Sequence, residues 1–493
     1  MGVRPLEASI TIRRVLLQPG RITCSSIIFL LLPAFFVYSS STFCQTNDPY
    51  YSSQGSWNQR YDDQWALKAI GFLNPNNKKS AWSLENGTKN PVIVAVIDTG
   101  IDFHHPDLAR ETIWLNHNET ANGIDDDGNG YIDDMIGWNF VDNDNNPWDF
   151  AGHGTHIAGL IGASTNNGEG IAGINWGVKI MPLKVMNFTG RGRAIRLAEA
   201  IFYAVKHGAK VINLSLGTQE KSSILQDAVN YANKHGALVV VAAGNSAVDA
   251  GSITPAGLAN VITVASTNPD GSHAGFSNWG DAIDIAAPGV DILSLRARRT
   301  DFALIAGQVN YQAGDGNVGS DNRYYRATGT SFSAPLVSGV ASLIFAKYPE
   351  AKASEVKKIL LQNARDIHEP GIDRHSGYGM VDAYAALAAK KDFFIDARID
   401  GVAVVQQGGK PLLRITGTAD ANSLRMAWIE IGEGDSPEKW EKVGSSFKQA
   451  VHSGILADLD VNLFRSSKVW TLRLVSKHKD GKTREARFVL RLG

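Results

Sequence analysis

A carboxylate, an imidazole, a side-chain amide and a hydroxyl follow one another along this chain, each where a predicted strand ends or a predicted helix begins. Asp98 closes the apolar run Val94-Ala95-Val96-Ile97 and precedes Thr99-Gly100. Gly152-His153-Gly154-Thr155-His156 opens a helical stretch with two imidazoles. Asn245 follows Val240-Val241-Ala242-Ala243-Gly244. Ser331 stands in Gly329-Thr330-Ser331-Phe332-Ser333-Ala334-Pro335, ahead of Leu336, Val340 and Leu343, which share one face at helical spacing.

Together these groups suit acyl transfer. A serine hydroxyl becomes an effective nucleophile when a neighbouring imidazole takes its proton. The imidazole needs a buried acceptor to fix its tautomer and stabilise its cation, a task that fits Asp98. The oxyanion that forms on an attacked carbonyl needs donors, and the Asn245 amide and the Ser331 N–H, at the positive end of a helix, would supply them. Each residue also has a plain structural reading. Ser331 could be an N-cap, Asp98 an acceptor for the Thr99-Gly100 turn, His153 a helix cap and Asn245 a turn residue. Four such residues at element ends favour the chemical reading. Spacing does not choose between His153 and His156.

The elements that must position them are legible as apolar runs. Val92–Ile97, Ile180–Val185, Val211–Leu216, Leu238–Ala243, Val261–Ala265 and Ile283–Ala286 read as buried strands. Helical patterns fall near 153–164, 193–207, 224–235, 331–345, 353–364 and 381–389. Continuous apolar strands separated by helices imply an α/β fold, a doubly wound, mostly parallel sheet flanked by helices, over residues 91–390. In such sheets ligands gather outside the carboxyl ends of the strands, where distant residues converge. Residues 45–90 are polar and aromatic and read as an arm wrapping that domain. Beyond Lys391 the period becomes two, at Trp470, Leu472, Leu474 and at Ala486, Phe488, Leu490, Leu492, with Asp480-Gly481 as a hairpin turn between them. Residues 393–493 are expected to form a small antiparallel β-sandwich domain.

A formal net charge of −1 with 20% charged residues gives no global field to recruit nucleic acid. Arg13, Arg14 and Arg21 precede the apolar run Ile27–Tyr38 and the small residues Ser39–Thr42, an order expected of a secretory signal over residues 1–44. That run, interrupted by Pro33, is too short to span a bilayer. The chain is therefore expected to be secreted or held at the cell surface, without a membrane span. Both cysteines, Cys24 and Cys44, fall in this segment. A mature chain would have no disulfide, no thiol nucleophile and no thiolate metal site.

An acidic stretch between Asp98 and His153 offers another means of stabilisation. In Asp125-Asp126-Asp127-Gly128-Asn129-Gly130-Tyr131, hard oxygen donors occupy positions 1, 3 and 5 of a calcium loop, with glycine at 6 and the Tyr131 carbonyl at 7. Position 12 would be Ile136, which cannot ligate, so an EF-hand is excluded; Asp133 or Asp134 could close a shorter loop. Structural calcium is expected here, and no organic cofactor. Gly168-Glu169-Gly170-Ile171-Ala172-Gly173 matches G-x-G-x-x-G, but it follows a helix and precedes a strand, the reverse of a dinucleotide loop. No G-x-S-x-G elbow surrounds Ser331.

The motifs Asp98-Thr99-Gly100-Ile101-Asp102, His153-Gly154-Thr155-His156, Ala243-Gly244-Asn245 and Gly329-Thr330-Ser331 closely resemble those of the subtilisin-like serine peptidases, whose triad is known to run Asp, His, Ser along the chain. The resemblance extends to Gly377-Tyr378-Gly379-Met380-Val381-Asp382. It implies a secreted endopeptidase acting on proteins or peptides, with His153 as the base and His156 as a packing neighbour. It further implies that Ser215-Leu216-Gly217 pairs with substrate backbone as an added strand. Ala242-Ala243-Gly244 would form the opposite wall of the pocket for the residue before the cut, open enough for a large apolar side chain. Two features depart from the family. Residues 45–90, all that lies between the signal and the α/β domain, read as its arm where the family usually has a folding-assisting propeptide, and an extra Gly-, Asp-, Asn- and Tyr-rich segment, about 300–327, is expected to form either a loop over the groove or a plain surface loop. The competing expectations are a catalytically silent surface protein that binds a partner, and an esterase or peptide ligase using the same groups.

Overall fold

The computed structural model describes residues 46–72, 80–298, 300 and 316–492. The expected signal, 1–44, lies outside them, as do residues 301–315 of the expected loop. The arm forms two short helices, α1 (Pro49–Ser52) and α2 (Trp65–Ala69). Its aromatic residues do the anchoring: Tyr51, Trp65, Phe72 and Trp82 are all buried. Trp82 donates to the Ile174 carbonyl at 2.7 Å, and Gln64 exchanges two hydrogen bonds with the Ala172 backbone at 2.9 and 2.8 Å. The glycine-rich stretch 168–173 is thus a seat for the arm.

The central elements are β1 (Ile93–Asp98), β2 (Trp138–Asn139), α3 (His153–Gly162), β3 (Lys179–Lys184), α4 (Ala194–Lys206), β4 (Val211–Leu214), α5 (Ser223–Lys234), β5 (Leu238–Ala242), β6 (Val261–Thr267) and β7 (Ile285–Pro288). They build a seven-stranded sheet in the order β2-β3-β1-β4-β5-β6-β7, with every pair parallel. The six apolar runs are its long strands, displaced by no more than two residues at any end. Two features escaped the sequence pattern: the two-residue β2, and a small antiparallel sheet of β8 (Ile292–Leu295), β9 (Asn317–Val318) and β10 (Tyr324–Ala327). These pieces are too short to show a period.

Next come α6 (Thr330–Lys347), α7 (Ala353–Gln362) and α8 (Ala383–Ala388). Alternate residues of each strand feed two cores. Val94, Val96, Val240 and Ile262 pack with α3, α6, α7 and α8, while Ala95, Ile97, Ile212 and Val239 pack with α4 and α5. Each of these buried Val and Ile side chains contributes about 1.5–3 kcal/mol. α6 is long and apolar enough to cross a membrane by composition, yet nearly all of it is buried within the fold, which marks a central core helix.

The C-terminal region contains β11 (Ile395–Gln407), β12 (Lys410–Ala421), β13 (Leu424–Glu433), β14 (Glu441–Phe447), β15 (Val451–Asp460), β16 (Val469–His478) and β17 (Thr483–Arg491). They form two antiparallel sheets, β11-β12-β15 and β14-β13-β16-β17. Ile415 and Leu459 of one sheet share a core with Ile429, Leu472 and Leu474 of the other, which makes a sandwich. The Asp480-Gly481 turn joins β16 to β17, with Gly481 at φ +98. The guanidinium of Arg484 on β17 donates to the Gln362 carbonyl at the end of α7 at 3.2 Å.

Candidate active site

In the sheet order β1 lies between β3 and β4, so the chain leaves it first to one side and then to the other. The carboxyl ends of β1, β4 and β5 consequently border a crevice. Asp98 is the last residue of β1 and fully buried. Its Oδ1 accepts the Thr99 N–H at 2.7 Å and the His153 Nδ1–H at 2.8 Å. With Nδ1 donating to a carboxylate, the proton-accepting position of the ring is Nε2. Burial acts to lower the His153 pKa, but the Asp98 charge, the Asp98 hydrogen bond and the Asp149 charge together outweigh it and raise the value above the ordinary imidazole range.

His153 is the first residue of α3, behind Gly152, which has no side chain to cap with. Asp149 supplies the cap. Its Oδ1 accepts the Ala151 and Gly152 N–H groups at 2.9 and 2.7 Å, and its Oδ2 accepts the N–H and hydroxyl of Thr155 at 2.9 and 2.7 Å. Oδ1 also accepts the Thr99 hydroxyl at 2.9 Å, so one buried carboxylate locks both the helix start and the residue after Asp98. Such close approach needs glycine at 154, where a Cβ would lie 2.1 Å from the Gly100 carbonyl oxygen. Lys184, also buried, donates to the Thr99 and Trp148 carbonyls beneath this corner. Neither Asp149 nor Lys184 belongs to a motif, and only the fold identifies them.

Ser331 lies in the first turn of α6, where backbone N–H groups have no intrahelical acceptor. Pro335 lacks the N–H that would bond the Ser331 carbonyl four residues back. The Ser215 hydroxyl takes its place and donates to that carbonyl at 2.7 Å. The Ser331 hydroxyl donates in turn to the Ser215 carbonyl at 3.3 Å, and no hydrogen bond joins it to His153. The imidazole instead packs on Phe332, the next residue, with ring centroids 5.5 Å apart. Catalytic hydrogen bonds of this kind are commonly loose before substrate binds.

Asn245, just past β5, is gripped by Thr330. Its Oδ1 accepts both the N–H and the hydroxyl of Thr330 at 2.8 Å each. That assigns the amide, with the oxygen committed and Nδ2 left to donate. Gly329, at φ +153, makes room: a Cβ there would stand 3.2 Å from Asn245 Nδ2. A cavity of about 240 Å³ brings Ser331, Asn245, Leu216, Gly217, Ala242 and Gly244 together. Ser215 and Ala243 stand outside its lining. Ser215 is occupied with Ser331, and Ala243 is buried in the core with its N–H donated to Val264 and its carbonyl accepting from Asn278 at 2.8 Å. Thr218, Ile253 and Asn278, none of them singled out from the sequence, also line it.

His156 is a core residue. Its Nε2 faces the Ile292 and Tyr325 carbonyls at 3.1 and 3.0 Å. Burial above all pushes its pKa down to about 3, so it stays neutral across the working range.

In the acidic loop, carboxylate oxygens of Asp125, Asp127 and Glu119 lie within 4.8 Å of one another. Glu119 lies upstream of the loop pattern and was not foreseen from the sequence. Three carboxylates this close repel unless a cation sits between them, so the donor set fits calcium. Asn129 adjoins the group, its N–H donating to Asp125 Oδ1 at 3.0 Å and to Asp127 Oδ1 at 3.1 Å, while its own Oδ1 accepts the Tyr131 N–H at 2.7 Å. Asp134 does not join the cluster. It is fully buried and accepts from Asn116, Tyr203 and Asn129, which makes it an internal brace. The Tyr131 ring packs on Trp138 and Tyr203, with centroids 5.1 Å away in each case.

Comparison with known proteins agrees with this geometry. The chain is 36% identical over 307 residues to the thermophilic serine proteinase of Bacillus sp. (strain AK1), a match covering 62% of this chain and 64% of that one. It is 34% identical over 359 residues to the cell wall-associated protease of Bacillus subtilis, covering 67% of this chain and 35% of the other. The chain thus spans from about a third to just under two thirds of the length of these relatives. Among solved structures, proteases from Pseudoalteromonas arctica match with a TM-score of 0.52 and 31% identity, over 70% of this chain and 98% of theirs. The profile of the subtilase family matches residues 89–379, from just before β1 to just before α8, and the chain belongs to that family.

Proposed function

We propose that this chain is an exported serine endopeptidase that hydrolyses peptide bonds in proteins through an acyl-enzyme. Ser331 Oγ turns from the Ser215 carbonyl to His153 Nε2, which takes its proton as the oxygen attacks the substrate carbonyl. Asp98 holds the ring and stabilises the imidazolium. Asn245 Nδ2 and the Ser331 N–H receive the oxyanion. The imidazolium then protonates the leaving amine, and water repeats the sequence to release the acid. The observation that carries this reading is the buried 2.8 Å Asp98–His153 contact at the same sheet rim as the cavity shared by Ser331 and Asn245.

The backbone of Ser215–Gly217 would accept the substrate as an added strand. Leu216, Ala242 and Ile253 give the cavity apolar walls, suited to an apolar side chain before the cut. Calcium held by Glu119, Asp125 and Asp127, with Asn129 beside them, would tie down the loop that precedes β2. We assign residues 91–390 to the peptidase domain, 45–90 to its arm and 393–493 to an appended sandwich domain. Export is supported by the signal-like order of residues 1–44 and by the name of the cell wall-associated relative. Cleavage of casein and of a peptide library, with Ser331→Ala as control, tests the reading. Hydrolysis of simple esters alone would favour an esterase.

A further inference from the structure

Three histidines from two separate segments meet at one place. His273 belongs to the loop that follows β6, and His368 and His375 to the segment between α7 and α8. Their ring centroids are 4.9 Å apart for His273 and His375, 6.1 Å for His273 and His368, and 6.2 Å for His368 and His375. A zinc–nitrogen bond of about 2.0–2.1 Å puts each ring centre about 3.2 Å from a shared ion, hence about 5.2 Å from its neighbour at a tetrahedral angle. The observed triangle brackets that spacing.

We propose that His273, His368 and His375 form a site for a divalent transition-metal cation of the zinc type, one that fastens the loop after β6 to the segment between α7 and α8. The three residues differ in how ready they are. His273 is half-buried, and its Nδ1 is enclosed without a well-formed hydrogen bond. His368 and His375 are exposed and can turn. They must turn, because as the rings stand their nitrogens do not all converge within 4.8 Å. That adjustment costs little against the binding energy of a three-imidazole site.

One carboxylate is placed to assist. Asp373 Oδ1 lies 4.0 Å from His375 Nδ1 and is itself held by the His375 and Ser376 N–H groups at 2.7 and 2.9 Å. A ligating histidine commonly gives its second nitrogen to such an acceptor, which fixes ring and tautomer. Imidazole nitrogen selects zinc-type cations over calcium, so this site is chemically distinct from the all-oxygen loop at Asp125. The loop bearing His273 continues to Asn278, which lines the cavity and braces Gly244, its N–H donating to the Gly244 carbonyl at 2.9 Å. Metal at the histidines would therefore stiffen a wall of the cleft.

The test uses the Ser331→Ala chain, free of any histidine tag and saturated with calcium so that the acidic loop is occupied. Zinc chloride is titrated in competition with a chromophoric chelator, and melting is followed with and without zinc. One zinc per chain should bind, with a raised melting temperature. In His368→Ala/His375→Ala, affinity should fall at least ~100-fold and the zinc-dependent rise should vanish, while melting without zinc stays unchanged. Absence of stoichiometric binding, or equal binding by the double variant, overturns the proposal.

Discussion

Thr330 holds the Asn245 amide oxygen with two hydrogen bonds of 2.8 Å, one from its N–H and one from its hydroxyl. The same hydroxyl accepts the Gly244 N–H at 3.0 Å, so a single side chain sets both the amide and the turn that carries it. Removing one amide donor from an oxyanion site typically costs about 10²–10³ in kcat, the magnitude expected if Asn245 is such a donor. Thr330→Val keeps the amide but releases half its grip. It should lower kcat by about 10–100-fold with KM nearly unchanged, measured on a peptide amide substrate. An unaltered kcat would show that Asn245 needs no such support.

The base must be neutral to act, so kcat/KM should rise with pH as His153 loses its proton. Because Asp98 and Asp149 outweigh burial and raise the His153 pKa, the midpoint should lie above the ordinary imidazole value of about 6.5. In Asp98→Asn the anion is gone and burial remains, so the midpoint of the residual activity should move below that value. A rate profile whose acid limb stays put in Asp98→Asn would disconnect the limb from this pair.

Asp149 never touches substrate in this account, yet five donors converge on it. Asp149→Asn replaces an acceptor oxygen by an N–H₂ facing other donors. Loss of about 2–3 kcal/mol of stability is expected, since a buried polar group left unpaired carries its full desolvation penalty. The start of α3 should loosen, lowering kcat as well. Urea denaturation of the variant in the Ser331→Ala background separates the two effects.

Calcium removal should lower the melting temperature by several degrees. Glu119→Gln and Asp125→Ala should each melt lower at saturating calcium and lose most of the response to chelator. Asp134→Asn should also melt lower, because it breaks the brace to Asn116 and Tyr203, but it should remain chelator-sensitive. A chelator response equal in all three variants would place the ion elsewhere.

What could be read beforehand, and what could not, follows from where the information resides. Buried parallel strands are continuous apolar runs, so Ile93–Asp98 and Leu238–Ala242 announced themselves. The reacting groups sit at element ends beside glycine, a local signal. The supports do not. Thr330, Asp149, Lys184 and Glu119 matter through contacts with residues tens of positions away, or through a loop path no period encodes. The sandwich sheets were visible only at Trp470–Leu474 and Ala486–Leu492. Strands such as β11 alternate too irregularly, with exposed stretches such as Val404, to stand out.

The assignment of Ser331 as the nucleophile is tested most directly by covalent labelling. Mature chain treated with a fluorophosphonate and digested for mass spectrometry should carry one adduct, on Ser331, with peptidase activity lost in proportion. Ser331→Ala should fold, take up no label and cleave nothing. Peptide hydrolysis by Ser331→Ala, or a stoichiometric adduct on another residue, would contradict the account.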